Sequence, residues 1–192
     1  GALLLSADFG SRTLHGWELV EEGKLTFHKG NPSELRGSYG PRDNAYYVLK
    51  SSGVFDDFDV GINIKFTDGD QKLVMAGLYP RFTETGGYGV YISPLGSYVI
   101  GYFTKDTKGE WVWGTLMDWT NHSAIRAGMH ESNHLRVICD GERFRVYLNG
   151  VLAASFKDSR FKLGKLYVVA EPNGQTDLGI AFSDLQLREV LR

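Results

Sequence analysis

The chain has 192 residues, 42% of them hydrophobic and 23% charged, with a net charge of −2. That balance predicts one globular domain over residues 1–192; the charge draws it neither to nucleic acid nor to an anionic membrane surface. No apolar run approaches the ~20 residues of a membrane-spanning helix, so no membrane insertion is expected. The one cysteine, Cys139, excludes an intramolecular disulfide and, alternating with Leu135 and Val137, reads as a buried, inert thiol.

In chain order, "GALLLSADF" reads as the first residues after a removed signal peptide, which predicts an extracellular, periplasmic or cell-surface location. Alternating segments then recur: 23–30, 45–51, and "FDVGINIKF" at 58–66, with Phe58, Val60, Ile62, Ile64 and Phe66 on one face. Residues 72–82, 88–93, 97–103 and 110–118 follow, then a polar stretch at 119–133 that reads as an irregular crossover with room for a short helical turn. Segments 134–140, 143–149, 151–156, 165–171 and 179–190 complete the set. The sharpest signal is "FRVYLNGVLAASFKD" (144–158), because Asn149-Gly150 suits the two positive-φ positions of a type I′ turn. With Asp68-Gly69, Gly86-Gly87, Asp140-Gly141 and Asn173-Gly174 as further turns, the pattern predicts an all-β, antiparallel two-sheet sandwich or jelly roll.

The opening "ADFG" with "GW" after it, "FDDFDVGINIKF", "GGYGVYIS", "AIRAGMHESNHLRVICDGERFRVYLNG" and the closing "LGIAFSDLQL" carry a resemblance that spans nearly the whole chain. On these the sequence resembles the concanavalin A-like lectin/glucanase superfamily, and within it the laminin G-like bacterial domains related to 3-keto-disaccharide hydrolases. The resemblance implies about 11–14 strands in a convex and a concave sheet, with sugar on the concave one. It also implies a module of a secreted or surface protein, fit to belong to a larger multidomain chain. The fold hosts lectins, binding modules, glycosidases and protein-binding modules alike.

The superfamily's glucanases carry paired carboxylates on one strand, in a Glu-x-Asp-x-x-Glu pattern. Here Glu84, Glu110, Glu131, Glu142 and Glu171 stand isolated, so no catalytic pair is expected. The five histidines, His15, His28, His122, His130 and His134, match no metal-ligand spacing and read as solvated loop residues. Aromatic rings suit the flat C–H faces of sugars, and Arg and carboxylates suit their hydroxyls. Taking the more apolar parity of each strand as core leaves Asn63, Lys65, Tyr79, Arg81, Tyr91, Tyr98, Tyr102, Trp111, Trp113, Arg145, Tyr147, Tyr167 and Glu171 on the opposite parity, and of these Tyr79, Arg81, Tyr91, Tyr102, Trp113 and Glu171 are the candidate ligand residues. The expected partner is an oligo- or polysaccharide, bound without catalysis and without a required cofactor. The alternatives are glycoside cleavage like that of the 3-keto-disaccharide hydrolases, and a protein-interaction or adhesion module. Related sandwiches often hold a structural calcium near the termini; Asp8 and Asp184 occupy the matching regions, with Ser183 where an acid is frequent.

Overall fold

The computed structural model describes residues 1–20 and 24–191 and contains no α-helix among them. Its strands are β1 (Leu3–Ser6), β2 (Trp17–Leu19), β3 (Leu25–His28), β4 (Glu34–Tyr39), β5 (Tyr46–Ser51), β6 (Phe58–Asp68), β7 (Met75–Phe82) and β8 (Gly86–Ser93). There follow β9 (Ser97–Lys105), β10 (Trp111–Asn121), β11 (Ser132–Asp140), β12 (Arg143–Leu148), β13 (Val151–Lys157), β14 (Lys165–Glu171) and β15 (Leu178–Arg188). They make two sheets. One has eight strands in the order β13-β12-β11-β6-β15-β4-β3, with β1 added against β15; the other has seven, β10-β9-β8-β7-β14-β5-β2. Every pairing is antiparallel, and the sheets stack as the expected sandwich.

The core lies between them. Phe58, Val60, Ile62, Ile64 and Phe66 of β6 all face it, as alternation requires, and meet Val48, Leu78, Val90, Ile100 and Val168 from the seven-stranded sheet. Cys139 is fully buried among them, and burial pushes its thiol pKa up, so it stays an unreactive apolar group.

The Asn149-Gly150 hairpin forms as read. Both residues hold positive φ, 48° and 83°, and Leu148 pairs with Val151 across a two-residue loop. The Asn149 side chain has a second task. Its Oδ1 accepts the His134 N–H at 2.7 Å, and its Nδ2 donates to the Ala124 carbonyl at 2.7 Å and to Asn133 Oδ1 at 2.8 Å. Asn133 in turn exchanges hydrogen bonds with the Arg126 backbone, so the turn also pins the crossover.

Two expectations are corrected, and one strand, β4, was not anticipated. β10 continues through Asn121, so the crossover is shorter than 119–133 and consists of turns. β4 had no period-2 signature, because its core-facing row is Leu35, Gly37 and Tyr39; a Cβ on Gly37 would lie 2.5 Å from the Tyr39 ring. His134 sits within β11, half-buried, with Nδ1 2.7 Å from Asn63 Oδ1 and its pKa lowered by burial.

Candidate functional site

The outer faces of the two sheets differ in kind. That of the eight-stranded sheet is polar and internally paired: Arg136 binds Asp59, Lys65 binds Glu34, and His134 binds Asn63. This is the ordinary solvated face of a sandwich. The seven-stranded sheet is apolar on its outer face as well, where Tyr79, Phe82, Tyr91, Val99 and Val169 form a second buried cluster. Tyr47, Phe103, Trp113 and Tyr167 pack around it.

The rings are continuous. Tyr79 lies 5.1 Å from Phe82 and 4.9 Å from Phe103, centroid to centroid; Phe103 lies 4.9 Å from Trp113, and Phe82 lies 5.3 Å from Trp111. Tyr47 and Tyr167, 5.1 Å apart, extend the set across β5 and β14. Such pairs add ~0.5–1.5 kcal/mol each beyond area burial, so the surface is stiff. Two glycines let Trp113 lie close to the sheet. A Cβ on Gly101 would fall 2.3 Å from the indole, and one on Gly89 would fall 2.8 Å from it.

One carboxyl stands in this apolar surround. Glu171, at the end of β14, accepts a hydrogen bond from Tyr91 Oη at 2.8 Å, and Tyr91 is itself bonded to Tyr79 Oη. With Tyr91 donating to Glu171, Tyr79 donates to Tyr91. Burial raises the Glu171 pKa from its ordinary carboxylate value, against lowering by the Tyr91 hydrogen bond and Arg42. Burial likewise holds both tyrosines far above the ordinary phenol value, so they act as neutral donors. The groove over this floor measures about 570 Å³, with Arg42, Asp43, Asn44 and Glu110 on its rim. Arg42 is fixed there, donating to the Asn44 carbonyl at 2.9 Å and to the Ala45 carbonyl, and stacking 3.6 Å from the Tyr46 ring centroid. A raised-pKa carboxyl, flat rings and polar rim groups can together stack a sugar, accept its hydroxyl protons and exclude water.

Of the six candidate residues, the structure brings Tyr79, Tyr91, Trp113 and Glu171 together on this face. Arg81 is corrected. Register shifts between Lys165 and Tyr167 on the partner strand, a β-bulge at Pro80-Arg81 with Arg81 at φ 52°. The bulge turns Phe82 outward and buries Arg81, whose Nε donates to the Asp56 carbonyl at 2.7 Å and whose Nη2 contacts Asp57 at 3.3 Å. Tyr102 is corrected as well. It shares the inward parity of Tyr98 and Ile100, packs on the sandwich core, and carries the Arg160 guanidinium 4.2 Å from its ring centroid. Tyr47, Phe82, Phe103 and Trp119 belong to the outer face and were missed. The sequence signal for Tyr47, Phe82 and Phe103 is that β5, β7 and β9 are apolar at both parities; Trp119 lies in the polar far end of β10 and had none.

The calcium expectation meets a poor fit. Asp8 Oδ1 already accepts the Gly10 N–H at 2.9 Å, and Oδ2 accepts the Ser11 hydroxyl at 2.8 Å; these turn bonds keep its pKa low. Asp184 is exposed and accepts from Gln186 Nε2 at 2.9 Å. Among the described residues no three His, Cys, Asp or Glu side chains are grouped to hold a metal, whereas Ca²⁺ takes six to eight oxygens.

Comparison with known proteins follows the same line. No curated protein matches the sequence. The fold is similar to the carbohydrate binding module CBM66 from Bacillus subtilis, at TM-score 0.63 and 18% identity over 91% of this chain and 96% of that one. It is also similar to a glycoside hydrolase family 16 endo-glucanase from Bacteroides ovatus, at TM-score 0.68 and 11% identity over 95% and 99%. A Bacillus licheniformis beta-glucanase aligns at TM-score 0.65 and 10% identity over 99% of each chain. At these TM-scores the likeness shows a shared jelly-roll fold. Residues 6–182 match a family described as the 3-keto-alpha-glucoside-1,2-lyase-like domain, and the chain belongs to that family.

Proposed function

We propose that the domain binds carbohydrate, without cleaving it, in the groove on the outer face of the seven-stranded sheet. The observation that carries this is the second apolar face: a sandwich needs one apolar side per sheet, and here the other side is paved with rings around a single carboxyl. Rings pack on sugar C–H faces, Glu171 accepts hydroxyl hydrogen bonds, and Asp43, Asn44 and Glu110 serve the hydroxyls that reach the rim. The family and the carbohydrate-directed neighbours support the ligand class. The expected setting is a secreted or surface protein, as one module of a longer chain. A glycan array followed by titration calorimetry tests the reading. Binding that Trp113→Ala weakens about 30-fold supports it, and silence across the array sinks it.

The raised carboxyl of Glu171 favours one second reading, a 1,2-elimination on a 3-keto-α-glucoside. The ketone at C3 acidifies the C2 hydrogen. A base takes that proton, its bonding pair forms the C1=C2 bond, the C1–O bond breaks, and the departing oxygen is protonated. Glu171 supplies a base strengthened by burial, and Tyr91 orients it. This path needs one base, whereas retaining glycosidases need two carboxyls ~5 Å apart. Release of methanol from methyl 3-keto-α-glucoside, lost in Glu171→Gln, would establish the elimination and displace the non-catalytic reading.

A further inference from the structure

We propose that the groove takes a chain of four or more sugars laid along β10, rather than a mono- or disaccharide. This rests on the carbohydrate reading above and adds the length and course of the ligand. Three hollows of about 570, 240 and 260 Å³ follow one another over the outer face of the seven-stranded sheet. They share walls: Trp113 and Glu171 line the first and second, while Met75 and Trp119 line the second and third. The track therefore runs from the Trp111 end of β10 to the turn at Leu95.

Its platforms come from one strand. Trp111, Trp113 and Trp119 all open onto the track, and at ~3.3 Å per residue the steps from Trp111 to Trp119 cover roughly 20–25 Å. Two register shifts, between Thr115 and Met117 and between Met117 and Thr120, carry β10 along the edge and bring Trp119 round to the wall it shares with Met75. One or two sugar rings cannot touch both end tryptophans across that distance. Yet both ends are built as contact surfaces: Trp111 and Trp119 keep 42% and 45% of their area exposed on a strand at the sheet edge. Each hollow also has its own hydrogen-bonding groups, Glu110 in the first, Glu171 in the second, Lys72 and Asn173 in the third. Ring platforms with polar groups at intervals suit a repeating polymer whose units alternate a flat apolar face with a hydroxyl edge.

The test is an array of α- and β-linked hexose chains of one to eight units, followed by calorimetry on the series that binds, with the native chain and Trp119→Ala. Affinity should rise about tenfold or more from the disaccharide to the pentasaccharide. Trp119→Ala should remove that rise and keep the native melting temperature. A disaccharide that binds as tightly as a pentasaccharide overturns the proposal, as does a Trp119→Ala loss that is equal at every length. An array with no signal at all strikes instead at the carbohydrate reading, and takes this proposal with it.

Discussion

Replacing Arg81 with alanine should lower the melting temperature by roughly 6–12 °C, and the figure follows from what the side chain holds. Arg81 is 2% exposed. Its Nε and Nη1 donate to the Asp56 and Phe161 carbonyls at 2.7 and 3.2 Å, Nη2 lies 3.3 Å from Asp57 Oδ1, and the guanidinium sits 5.1 Å from the Phe144 ring centroid. Removing one partner of a buried pair costs ~3–5 kcal/mol. The low end applies here, because Asp57 also accepts the Gly141 N–H at 2.7 Å and is not orphaned. About 3 kcal/mol, at ~2–4 °C per kcal/mol for a domain of this size, gives the stated range. Arg81→Met restores volume but no donors, and should recover only part of the loss. Calorimetric unfolding with parallel sugar titration reads both sides of the argument. An unchanged melting temperature together with lost binding would refute it, making Arg81 a ligand contact instead of the clamp that holds the bulge and turns Phe82 outward.

Four further outcomes are expected. Trp113→Ala removes a central platform and should weaken sugar binding by ~2 kcal/mol, roughly 30-fold, by calorimetry. Because burial raises the Glu171 pKa, the folded state holds that proton more tightly than the unfolded state, and stability falls as pH rises from the ordinary carboxylate value through the folded one. Glu171→Gln should therefore melt higher than the native protein near neutral pH, with the gap closing below about pH 4; a variant less stable at both pH values contradicts the assignment. Asn149→Gly keeps the turn but loses three hydrogen bonds, for ~1–3 kcal/mol, and Asn149→Ala should cost about 1 kcal/mol more for its positive φ; equal losses in denaturant titration would deny the type I′ strain. Since Asp8 is engaged by its own turn, a chelator should leave the melting temperature within ~1 °C of the untreated value.

Strands that are wet on one side were legible from the sequence. In β6 and β12 each residue's polarity names its side, because the eight-stranded sheet has a solvated outer face and a buried inner one. The Asn-Gly turn was legible for a similar reason, since two positive-φ positions in succession leave few other dipeptides. β4 was hidden by Gly37, which interrupts its core-facing row between Leu35 and Tyr39, and the far end of β10 by its polar composition, which reads like a loop.

The site defeated the parity rule for the reason that makes it a site. In β9, Tyr98, Ile100 and Tyr102 face the core while Val99 and Phe103 face the groove, and nothing in "SYVIGYF" says which row is inside. Choosing the tyrosines as the outer row selected Tyr102 and passed over Phe103. In β7 alternation was sound up to Tyr79 and then broke at the bulge, exchanging Arg81 for Phe82. A strand apolar at both parities belongs either to a sheet covered on both sides or to one that leaves an apolar face for something else to cover. Here two layers account for the strands of the described residues, so among those residues β5, β7, β9 and β14 leave a face without a protein layer. Ambiguous parity in neighbouring strands of a sandwich is therefore itself a signal of an apolar outer face, although it picks out no single residue on that face.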